Sequence, residues 1–457
     1  MKPPSPLKIH FDQGTLILDG PSDILSQFDY LRHDRRTENF RCYAYFYSQL
    51  VLDLRKKKIS YQDHCRQYNE ISLSMKTRQS PRSFQKEALE KWLKQRWGYV
   101  VLPTGSGKSF LALMAMEKVQ RSTLVIVPTL DLMNQWYSLI ETYFGWEPGL
   151  IGGGYYEIKE ITITTYDSAW THMEHLGNRF GFLIFDECHH LPGESYSFAA
   201  KFAIAPFRLG LTATPERSDG KEEDLKEYLG KEIYRKRIKE LAGSTLSEYQ
   251  IRKVFVGLTA EEEEEYRLAR EEYLQFIRKN SISFSHPKGW DKFIRLSCRS
   301  EEGRKAFQAY LRQKQILQSS RSKFQILLQL LKKHCHDKII IFTNDNATVY
   351  EISKSFLLPA ITHQTKIKER KALLEGFQKG DFHVIVTSKV LNEGVDLPEA
   401  NVGIVLSGSG SVREHVQRLG RLLRKKEGKE AILYEVVVQN SSEVYTSQRR
   451  GDHEAYQ

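Results

Sequence analysis

The sequence predicts an α/β fold with two tandem lobes, each built on a parallel sheet. Short, continuously apolar runs recur along the chain, as expected for strands that are buried on both faces. Amphipathic stretches of helical spacing separate these runs. The runs fall into two groups, before about residue 215 and after about residue 338, and a helix-rich stretch with charges of alternating sign lies between them.

Composition limits the classes of protein to which the chain can belong. Apolar residues make up 40% of the 457 residues and charged residues 27%, a composition that favours packed cores over wholesale disorder. No run approaches the ~18 apolar residues of a membrane span, and the N-terminus lacks a secretion signal, so we expect no membrane association. Five scattered cysteines favour a reducing, cytoplasmic location. The net charge of +11 is compatible with a polyanionic partner.

Residues 1–78 are predicted to form a small N-terminal domain. A strand signal at Thr15–Leu18 ends in the turn sequence Asp19-Gly20-Pro21. Aromatic residues then crowd a short stretch beside Arg41, and two interpretations are open: a small hydrophobic core, which we favour, or a surface on which bases stack. These residues are Phe40, Tyr43, Tyr45, Phe46 and Tyr47.

Residues 79–221 are predicted to form the first lobe. Helical stretches at Phe110–Val119 and Asp131–Phe144 lie between its strands, an alternation that predicts a doubly wound parallel sheet. The predicted strands are Tyr99–Leu102, Leu124–Val127, Ile161–Thr164, Phe182–Phe185 and Arg208–Leu211.

The rest of the chain is predicted to contain a helical region at 222–300, a second lobe at 301–440 and a polar tail at 441–457. Thr259 and Glu262 form a capping-box pattern that predicts the start of a helix in the helical region. The acidic run Glu261–Glu265 is interpreted as a solvated first turn of that helix. The strands predicted for the second lobe are Lys338–Phe342, Val384–Val386, Val402–Leu406 and Ala431–Tyr434.

A phosphate-binding loop is the strongest chemical signal in the sequence. The segment Leu102-Pro-Thr-Gly-Ser-Gly-Lys-Ser109 follows a predicted strand and precedes a helix, the context that such a loop requires. Its glycines allow backbone N–H groups to converge on phosphate oxygens, Lys108 would neutralise the terminal phosphates, and Ser109 would bind Mg²⁺. The expected nucleotide contacts in the loop are Pro103, Thr104, Gly105, Ser106, Gly107, Lys108 and Ser109.

Two further elements complete the chemistry expected of a nucleotide hydrolase. Asp186 and Glu187 follow a strand about 80 residues after the loop, where Asp186 suits Mg²⁺ and Glu187 suits polarising the attacking water. The segment Gln417-Arg-Leu-Gly-Arg-Leu-Leu-Arg424 places arginines on one helical face. They are interpreted either as a basic face for a nucleic-acid backbone or, as we favour here, as arginines that reach the terminal phosphate, a role worth ~10³ to 10⁵ in rate.

These motifs occur in the order found in helicases, and the chain resembles the superfamily 2 helicases, within them the XPB branch in its short archaeal and bacterial form. The resemblance extends over about residues 79–440 and implies two RecA-like lobes, a helical thumb within 222–300 and a damage-recognition-like domain at 1–78. Leu211-Thr-Ala-Thr214 is a further motif in this order. The longer matches, on which the branch depends, are Pro128-Thr129 before a helix, Thr164-Thr-Tyr-Asp-Ser-Ala169, Phe185-Asp-Glu-Cys-His-His-Leu-Pro192, Ala205-Pro-Phe-Arg-Leu-Gly-Leu211, Leu391-Asn-Glu-Gly-Val-Asp396 and Ser407-Gly-Ser-Gly-Ser411.

The resemblance also implies roles for individual residues. Gln417, Arg421 and Arg424 would join Lys108, Asp186 and Glu187 in catalysis. Arg82, Gln85, Gly394 and Asp396 would contact the nucleotide, with Gln85 reading adenine. Thr212, Thr214 and His189 would couple hydrolysis to motion. The residues expected to hold nucleic acid are Pro128, Thr129, Thr164, Thr165, Arg217, Asp219, Thr343, Thr387 and Ser388.

One element departs from the branch pattern. XPB proteins carry an Arg-Glu-Asp element that is assigned to strand separation, and here the segment reads Arg217-Ser218-Asp219. Because Ser218 replaces the glutamate of that element, the resemblance implies ATP hydrolysis more firmly than it implies that this segment opens the duplex.

The expected function is that of an ATP- and Mg²⁺-dependent DNA helicase or translocase, moving 3′ to 5′ or along duplex DNA in repair or transcription. Two alternatives keep some of the same residues: an RNA helicase or restriction-type translocase, and an ATP-gated DNA clamp that recruits a repair nuclease. The resemblance implies duplex or forked DNA as the partner, with a repair endonuclease as a further partner. We expect the protein to be a monomer.

Overall fold

The computed structural model describes residues 7–35, 37–76, 79–217, 219–241, 248–284, 288–388, 400–407 and 430–451. The chain divides into two compact units, Met1–Lys236 and Arg237–Gln457. The first contains the N-terminal domain and the first lobe, and the second contains the second lobe with a helical insertion.

The N-terminal domain is a five-stranded sheet in the order β3-β4-β2-β1-β5, antiparallel except for the parallel β1–β5 pair. Its strands are β1 Leu7–Asp12, β2 Thr15–Asp19, β3 Arg32–Asp34, β4 Asn39–Tyr43 and β5 Tyr61–Asp63. Its helices are α1 Ser22–Leu25 and α2 Tyr47–Lys56, with a 3-10 helix at Ala44–Phe46.

The aromatic stretch of this domain packs mainly as a core. Phe40 and Tyr47 are buried, and the Tyr45 ring lies 4.2 Å from that of Phe46. The Tyr45 hydroxyl donates to Glu227 of the first lobe, so this face of the domain is turned towards the lobe. Tyr43 is the member of the stretch that stays exposed. The packing favours the core interpretation over a base-stacking surface.

The first lobe is built on an eight-stranded sheet in the order β13-β6-β12-β11-β7-β10-β8-β9, parallel except at the β8–β9 hairpin. Its strands are β6 Trp97–Val101, β7 Thr123–Val127, β8 Gly149–Gly152, β9 Tyr155–Tyr156, β10 Ile161–Thr165, β11 Phe182–Asp186, β12 Phe207–Thr212 and β13 Glu232–Arg235. Its helices are α3 Ser83–Gln95, α4 Lys108–Val119, α5 Leu130–Phe144, α6 Tyr166–Leu176, α7 Phe198–Lys201 and α8 Asp224–Leu229, with 3-10 helices at Cys188–His190 and Lys221–Glu223.

All five strands predicted for this lobe are present. The sheet also contains β13, which pairs with β6 and lies beyond residue 221, where the sequence prediction ended the lobe. Because β6, β12, β11 and β7 are parallel neighbours, the loops that follow them meet at one edge of the sheet. This edge brings together the phosphate-loop segment, Asp186 and Thr212.

The second lobe is built on a six-stranded, wholly parallel sheet in the order β14-β19-β18-β15-β17-β16. Its strands are β14 Glu248–Val256, β15 Ile339–Phe342, β16 Ala360–Ile361, β17 Val384–Thr387, β18 Val402–Val405 and β19 Glu430–Val438. The helices of this unit are α9 Ile238–Leu241, α10 Ala260–Lys279, α11 Gly289–Ser297, α12 Glu301–Gln318, α13 Arg321–Lys333, α14 Asn346–Phe356, α15 Ile367–Lys379 and α16 Ser442–Gly451.

The helices α10, α11 and α12 form an insertion between β14 and α13. Thr259 caps α10 with the predicted capping box: its hydroxyl accepts from the N–H of Glu262, whose carboxylate accepts from the N–H of Thr259. An aromatic core that includes Phe276 and Phe293 holds the three helices together. The region 222–300 therefore includes two strands, β13 and β14, besides the predicted helices.

The C-terminal stretch expected to be a polar tail carries the helix α16. The carboxylate of Glu443 accepts two hydrogen bonds of 2.8 Å from the buried ammonium group of Lys323 in α13. The Ser447 hydroxyl donates to the buried carboxylate of Glu435 in β19 at 2.6 Å. The sequence of this helix is polar overall, so it offers little hydrophobic signal by which the helix could be predicted.

Candidate functional site

The phosphate loop joins the end of β6 to the start of α4. Gly105 and Gly107 have φ angles of 81° and 86°, in the left-handed region where a side chain is strained. A Cβ atom at Gly107 would also lie 2.6 Å from the amide nitrogen of Gln85. Gly107 is the N-cap of α4, so the N–H groups of the first helical turn have no acceptor within the helix and point back towards the loop. The loop therefore has the geometry of an anion-binding site.

Gln85 and Arg82 brace this loop from α3. The Gln85 amide donates to the carbonyl oxygens of Ser106 and Gly107, at 3.0 and 3.2 Å, and its oxygen accepts from the N–H of Arg82 at 2.9 Å. The Arg82 guanidinium donates to the Ser106 carbonyl at 3.2 Å. Both residues therefore contact the phosphate loop through its backbone carbonyl groups. Adenine reading by Gln85 stays a prediction.

Lys108 points back across the loop towards the acidic pair. Its ammonium nitrogen lies 3.4 Å from the Leu102 carbonyl oxygen and 3.8 Å from a carboxylate oxygen of Glu187, and its side chain is 8% exposed. Glu187 itself adopts a left-handed backbone conformation with a φ of 48°. Such strain in a non-glycine residue is typical of functional positions. The loop lysine and the acid predicted to orient water are therefore neighbours.

Asp186 is buried at the end of β11, and both of its carboxylate oxygens accept hydrogen bonds. One accepts from the indole N–H of Trp136 at 2.8 Å, and the other accepts from the backbone N–H of Glu187 at 3.0 Å. Burial, and then the charge of Glu187, raise the pKa of Asp186 to about 6, while the Trp136 hydrogen bond and Lys108 act in the opposite direction. No pattern in the sequence marks Trp136 as a site residue, because a tryptophan in an amphipathic helix is usually a core residue.

The residues predicted to couple hydrolysis to motion form a connected group behind the acidic pair. The Thr212 hydroxyl lies 3.1 Å from Nδ1 of His189, and the same nitrogen is 3.6 Å from the Glu187 carboxylate. Thr212 and Thr214 bond to each other, since the Thr212 hydroxyl donates to the Thr214 carbonyl and accepts from its N–H. The structure therefore joins this motif to Glu187 through His189.

Arg217 extends this group to Asp219. One nitrogen of its guanidinium donates to the His189 carbonyl at 2.5 Å, and two others donate to the Asp219 carboxylate at 2.8 and 2.7 Å. The Arg217 guanidinium holds the pKa of Asp219 down at about 2. Arg217 and Asp219 are thus paired, while Ser218 lies outside the described residues.

Two of the predicted nucleic-acid contacts in the first lobe begin helices. Thr129 caps α5 by accepting from the N–H of Leu132 at 3.3 Å, and Thr165 caps α6 by accepting from the N–H of Ser168 at 3.2 Å. Pro128 precedes the first cap. Thr164 differs, because it is fully buried and its hydroxyl donates to the Ile151 carbonyl. The side chain of Thr164 therefore supports the sheet edge.

The contacts predicted in the second lobe lie at the ends of two neighbouring strands. The N–H of Thr343 donates to the carbonyl of Thr387 at 2.9 Å, so these residues follow β15 and end β17 side by side. Their side chains are buried, as is that of Ser388. The remaining predicted site residues of this lobe lie outside the described residues: Gly394, Asp396, Gln417, Arg421 and Arg424.

The residues at the loop fit a nucleotide with Mg²⁺. The Thr104 hydroxyl, although buried, has no hydrogen-bond partner among the described residues, as expected of a group that faces a ligand. Within the described ranges, no group of three or more His, Cys, Asp or Glu residues could hold a metal ion. Mg²⁺ does not need such a cage, because it is usually bound by one or two protein oxygens together with phosphates and water. Ser109 and Asp186 can supply those oxygens.

Three family models match the chain. The model of the Xeroderma pigmentosum group B helicase damage recognition domain matches residues 9–65. The model of the type III restriction enzyme res subunit matches residues 78–217. The model of the ERCC3/RAD25/XPB C-terminal helicase matches residues 303–455.

Known proteins resemble the chain along most of its length. It is 43% identical to the DNA 3′-5′ translocase XPB2 of Sulfurisphaera tokodaii, over 81% of this chain and 84% of the relative. It is 30% identical to the DNA 3′-5′ helicase XPB of Mycobacterium tuberculosis, over 79% of this chain and 61% of the relative. The solved Hef helicase domain of Pyrococcus furiosus shares the fold, with a TM-score of 0.52 and 19% identity over 81% of this chain and 98% of that domain.

Proposed function

The chain belongs to the XPB-type superfamily 2 helicases, and we propose that it hydrolyses ATP in order to move along DNA, by 3′-5′ unwinding or by translocation on the duplex. The observation that carries this proposal is the meeting of Lys108, Asp186 and Glu187 at one edge of the first sheet. Phosphoryl transfer needs three such groups close together: a cation that neutralises the phosphates, a ligand for the metal ion, and a carboxylate that orients the attacking water.

Each residue has a distinct task in this proposal. The backbone N–H groups of the loop bind the phosphates, Lys108 neutralises the terminal ones, and Glu187 orients and polarises the attacking water. Ser109 and Asp186 would hold Mg²⁺, which when bound would supply positive charge next to the phosphate oxygens. Arg421 and Arg424 are proposed to stabilise the charge that develops in the transition state, and Gln417 is proposed to act with them.

The coupling of hydrolysis to DNA is proposed to pass through the group behind Glu187. Loss of the terminal phosphate changes the charge next to Glu187, and the contacts of His189 carry that change to Thr212 and to Arg217. The strand backbone is proposed to bind at the capped N-termini of α5 and α6. Phosphate contacts of this kind hold a strand without reading its sequence.

DNA is the proposed partner, in duplex or forked form. A repair nuclease as a second partner, a monomeric state and a cytoplasmic location are proposals that rest on the family and on composition. Among the described helices, none combines the length and the hydrophobicity that a membrane-spanning segment requires.

Phosphate release from ATP, measured with different nucleic acids, tests the proposal. Duplex or forked DNA should stimulate the rate well above the rate without nucleic acid, and RNA of the same length should not. Equal stimulation by RNA would favour an RNA helicase. An ATPase that DNA stimulates, but that displaces no strand until a nuclease is added, would favour the clamp.

A further inference from the structure

Trp136 connects the interior of helix α5 to the acidic pair. Its side chain is fully buried, and its indole N–H donates to Asp186 at 2.8 Å. The second carboxylate oxygen of Asp186 accepts from the backbone N–H of Glu187. The two hydrogen bonds, one to each oxygen, therefore fix the orientation of the carboxylate plane. Each oxygen keeps a lone pair for a further ligand.

The choice of acceptor distinguishes Trp136 from another buried tryptophan of the same lobe. Trp92, in α3, donates its indole N–H to the backbone carbonyl of Arg208 at 2.9 Å. That bond satisfies a buried donor and does nothing at the phosphate loop. Trp136 instead donates to the one carboxylate that is expected to bind the metal. Hydrogen bonds to a ligating carboxylate orient it, and their removal typically costs 10- to 100-fold in metal affinity or activity.

The position of Trp136 along α5 adds a second relationship. The helix is capped by Thr129, one of the predicted strand contacts, and Trp136 follows seven residues later. Seven residues make two helical turns, so both residues lie on similar faces about 10 Å apart along the axis. The Trp136 side chain is fully buried in the closely packed interior of the lobe, where it has no free space to adjust. A shift of the N-terminus of α5 should therefore move the indole as well.

We propose that Trp136 is a positioning residue for the metal ligand Asp186, and that α5 transmits strand binding at Thr129 to that ligand. The inference rests on the proposed function, since it gives Asp186 and Thr129 the roles proposed above. Trp136 touches neither nucleotide nor strand in this account. It acts by holding the carboxylate.

Nucleotide binding with and without metal tests the first half of this inference. Calorimetry with ADP, in Mg²⁺ and in EDTA, gives the factor by which Mg²⁺ tightens binding. W136F removes the indole donor and should reduce that factor about tenfold. W92F removes an equally buried indole donor from the same lobe and should leave the factor unchanged. Equal reductions in both variants, or none in W136F, would overturn the assignment.

ATPase rates with and without duplex DNA test the second half. W136F should lower the ratio of stimulated to unstimulated rate several-fold, and W92F should preserve it. An unchanged ratio in W136F would show that α5 does not carry the signal. If the unsubstituted protein shows neither Mg²⁺-dependent ADP binding nor DNA-stimulated hydrolysis, the proposed function and this inference fail together.

Indole N–H resonances provide a readout that does not depend on the folding of W136F. The chain has six tryptophans, so substitution of each of the other five by phenylalanine assigns the Trp136 signal by elimination. Addition of Mg²⁺ to the ADP-bound protein should shift the Trp136 signal and leave that of Trp92 in place. A Trp136 signal that does not respond would contradict the proposed contact between indole and metal ligand.

Discussion

The ammonium nitrogen of Lys108 lies 3.8 Å from a carboxylate oxygen of Glu187, and both side chains are largely buried. A strong charge-assisted hydrogen bond would be about 2.8 Å long, so this cation is only loosely satisfied by its acidic neighbour. A buried cation in that state gains from a closer anion. The arrangement therefore prepares Lys108 for a phosphate and leaves Glu187 free to act on water.

Glu187 should be required for hydrolysis and dispensable for binding. E187Q keeps the shape of the side chain and removes its charge, so we expect kcat to fall about 10²-fold or more while the Kd for ADP stays within a few-fold. Steady-state phosphate release and calorimetry measure the two quantities. E174Q, on the partly exposed face of α6, is the control and should change neither. A normal kcat in E187Q would remove the proposed role.

Arg208 should be a strong determinant of stability in the first lobe. It is fully buried in β12, donates to the carbonyls of Ala203, Ala205 and Tyr228, and lies over the Trp97 ring at 4.3 Å. R208A orphans those carbonyls and leaves a cavity, so unfolding should become easier by about 3 kcal/mol or more. Denaturant unfolding measures the change. The exposed R179A should cost little, and equal costs would contradict this account.

The pairing of Arg217 with Asp219 predicts a pH dependence. Because the folded-state pKa of Asp219 is about 2 and its ordinary value is 3.8, the pair contributes stability above about pH 4 and loses it as the pH falls through 2. R217Q should move the pKa of Asp219 back towards 3.8, which a carboxyl NMR titration measures directly. If Asp219 titrates at the same pH in R217Q, another group lowers its pKa.

DNA binding should weaken steeply with salt and respond little to base sequence. Contacts to phosphates release counterions, so the Kd for a duplex should rise at least about tenfold between 50 and 200 mM salt. Fluorescence anisotropy with two unrelated duplexes of equal length measures both properties. The net charge of +11 is consistent with such binding. A Kd that stays flat across this range would rule out a backbone-binding track.

The fold was predictable where strands are buried on both faces. Runs such as Phe182–Phe185 are continuously apolar, and such runs have few alternatives to a central parallel strand. The strand β14 was not predicted, because it lies in a highly charged stretch and carries charges of its own, as at Arg252 and Lys253. The hairpin of β8 and β9 was also not predicted, because its glycines and exposed tyrosines form a pattern that is typical of a loop.

The candidate site was predictable as far as its motifs are local. Lys108, Asp186 and Glu187 each belong to a short segment with a recognisable pattern, and the parallel sheet brings those segments together. The contact of Trp136 with Asp186 spans 50 residues, and the engagement of Gln85 with the loop backbone spans 21. Contacts of this kind depend on how helices pack on the sheet, which no local pattern encodes.

The central claim is tested most directly by an assay in which an oligonucleotide is bound to a DNA duplex as a third strand and its displacement is followed in the presence of ATP and Mg²⁺. Displacement reports movement along the DNA and not hydrolysis alone. The unsubstituted protein should displace the strand, and K108A should not, although its melting temperature should stay close to normal. K118A, an exposed lysine on the same helix α4, should behave like the unsubstituted protein. Displacement by K108A at the normal rate would contradict the claim that ATP bound at this loop drives the motor.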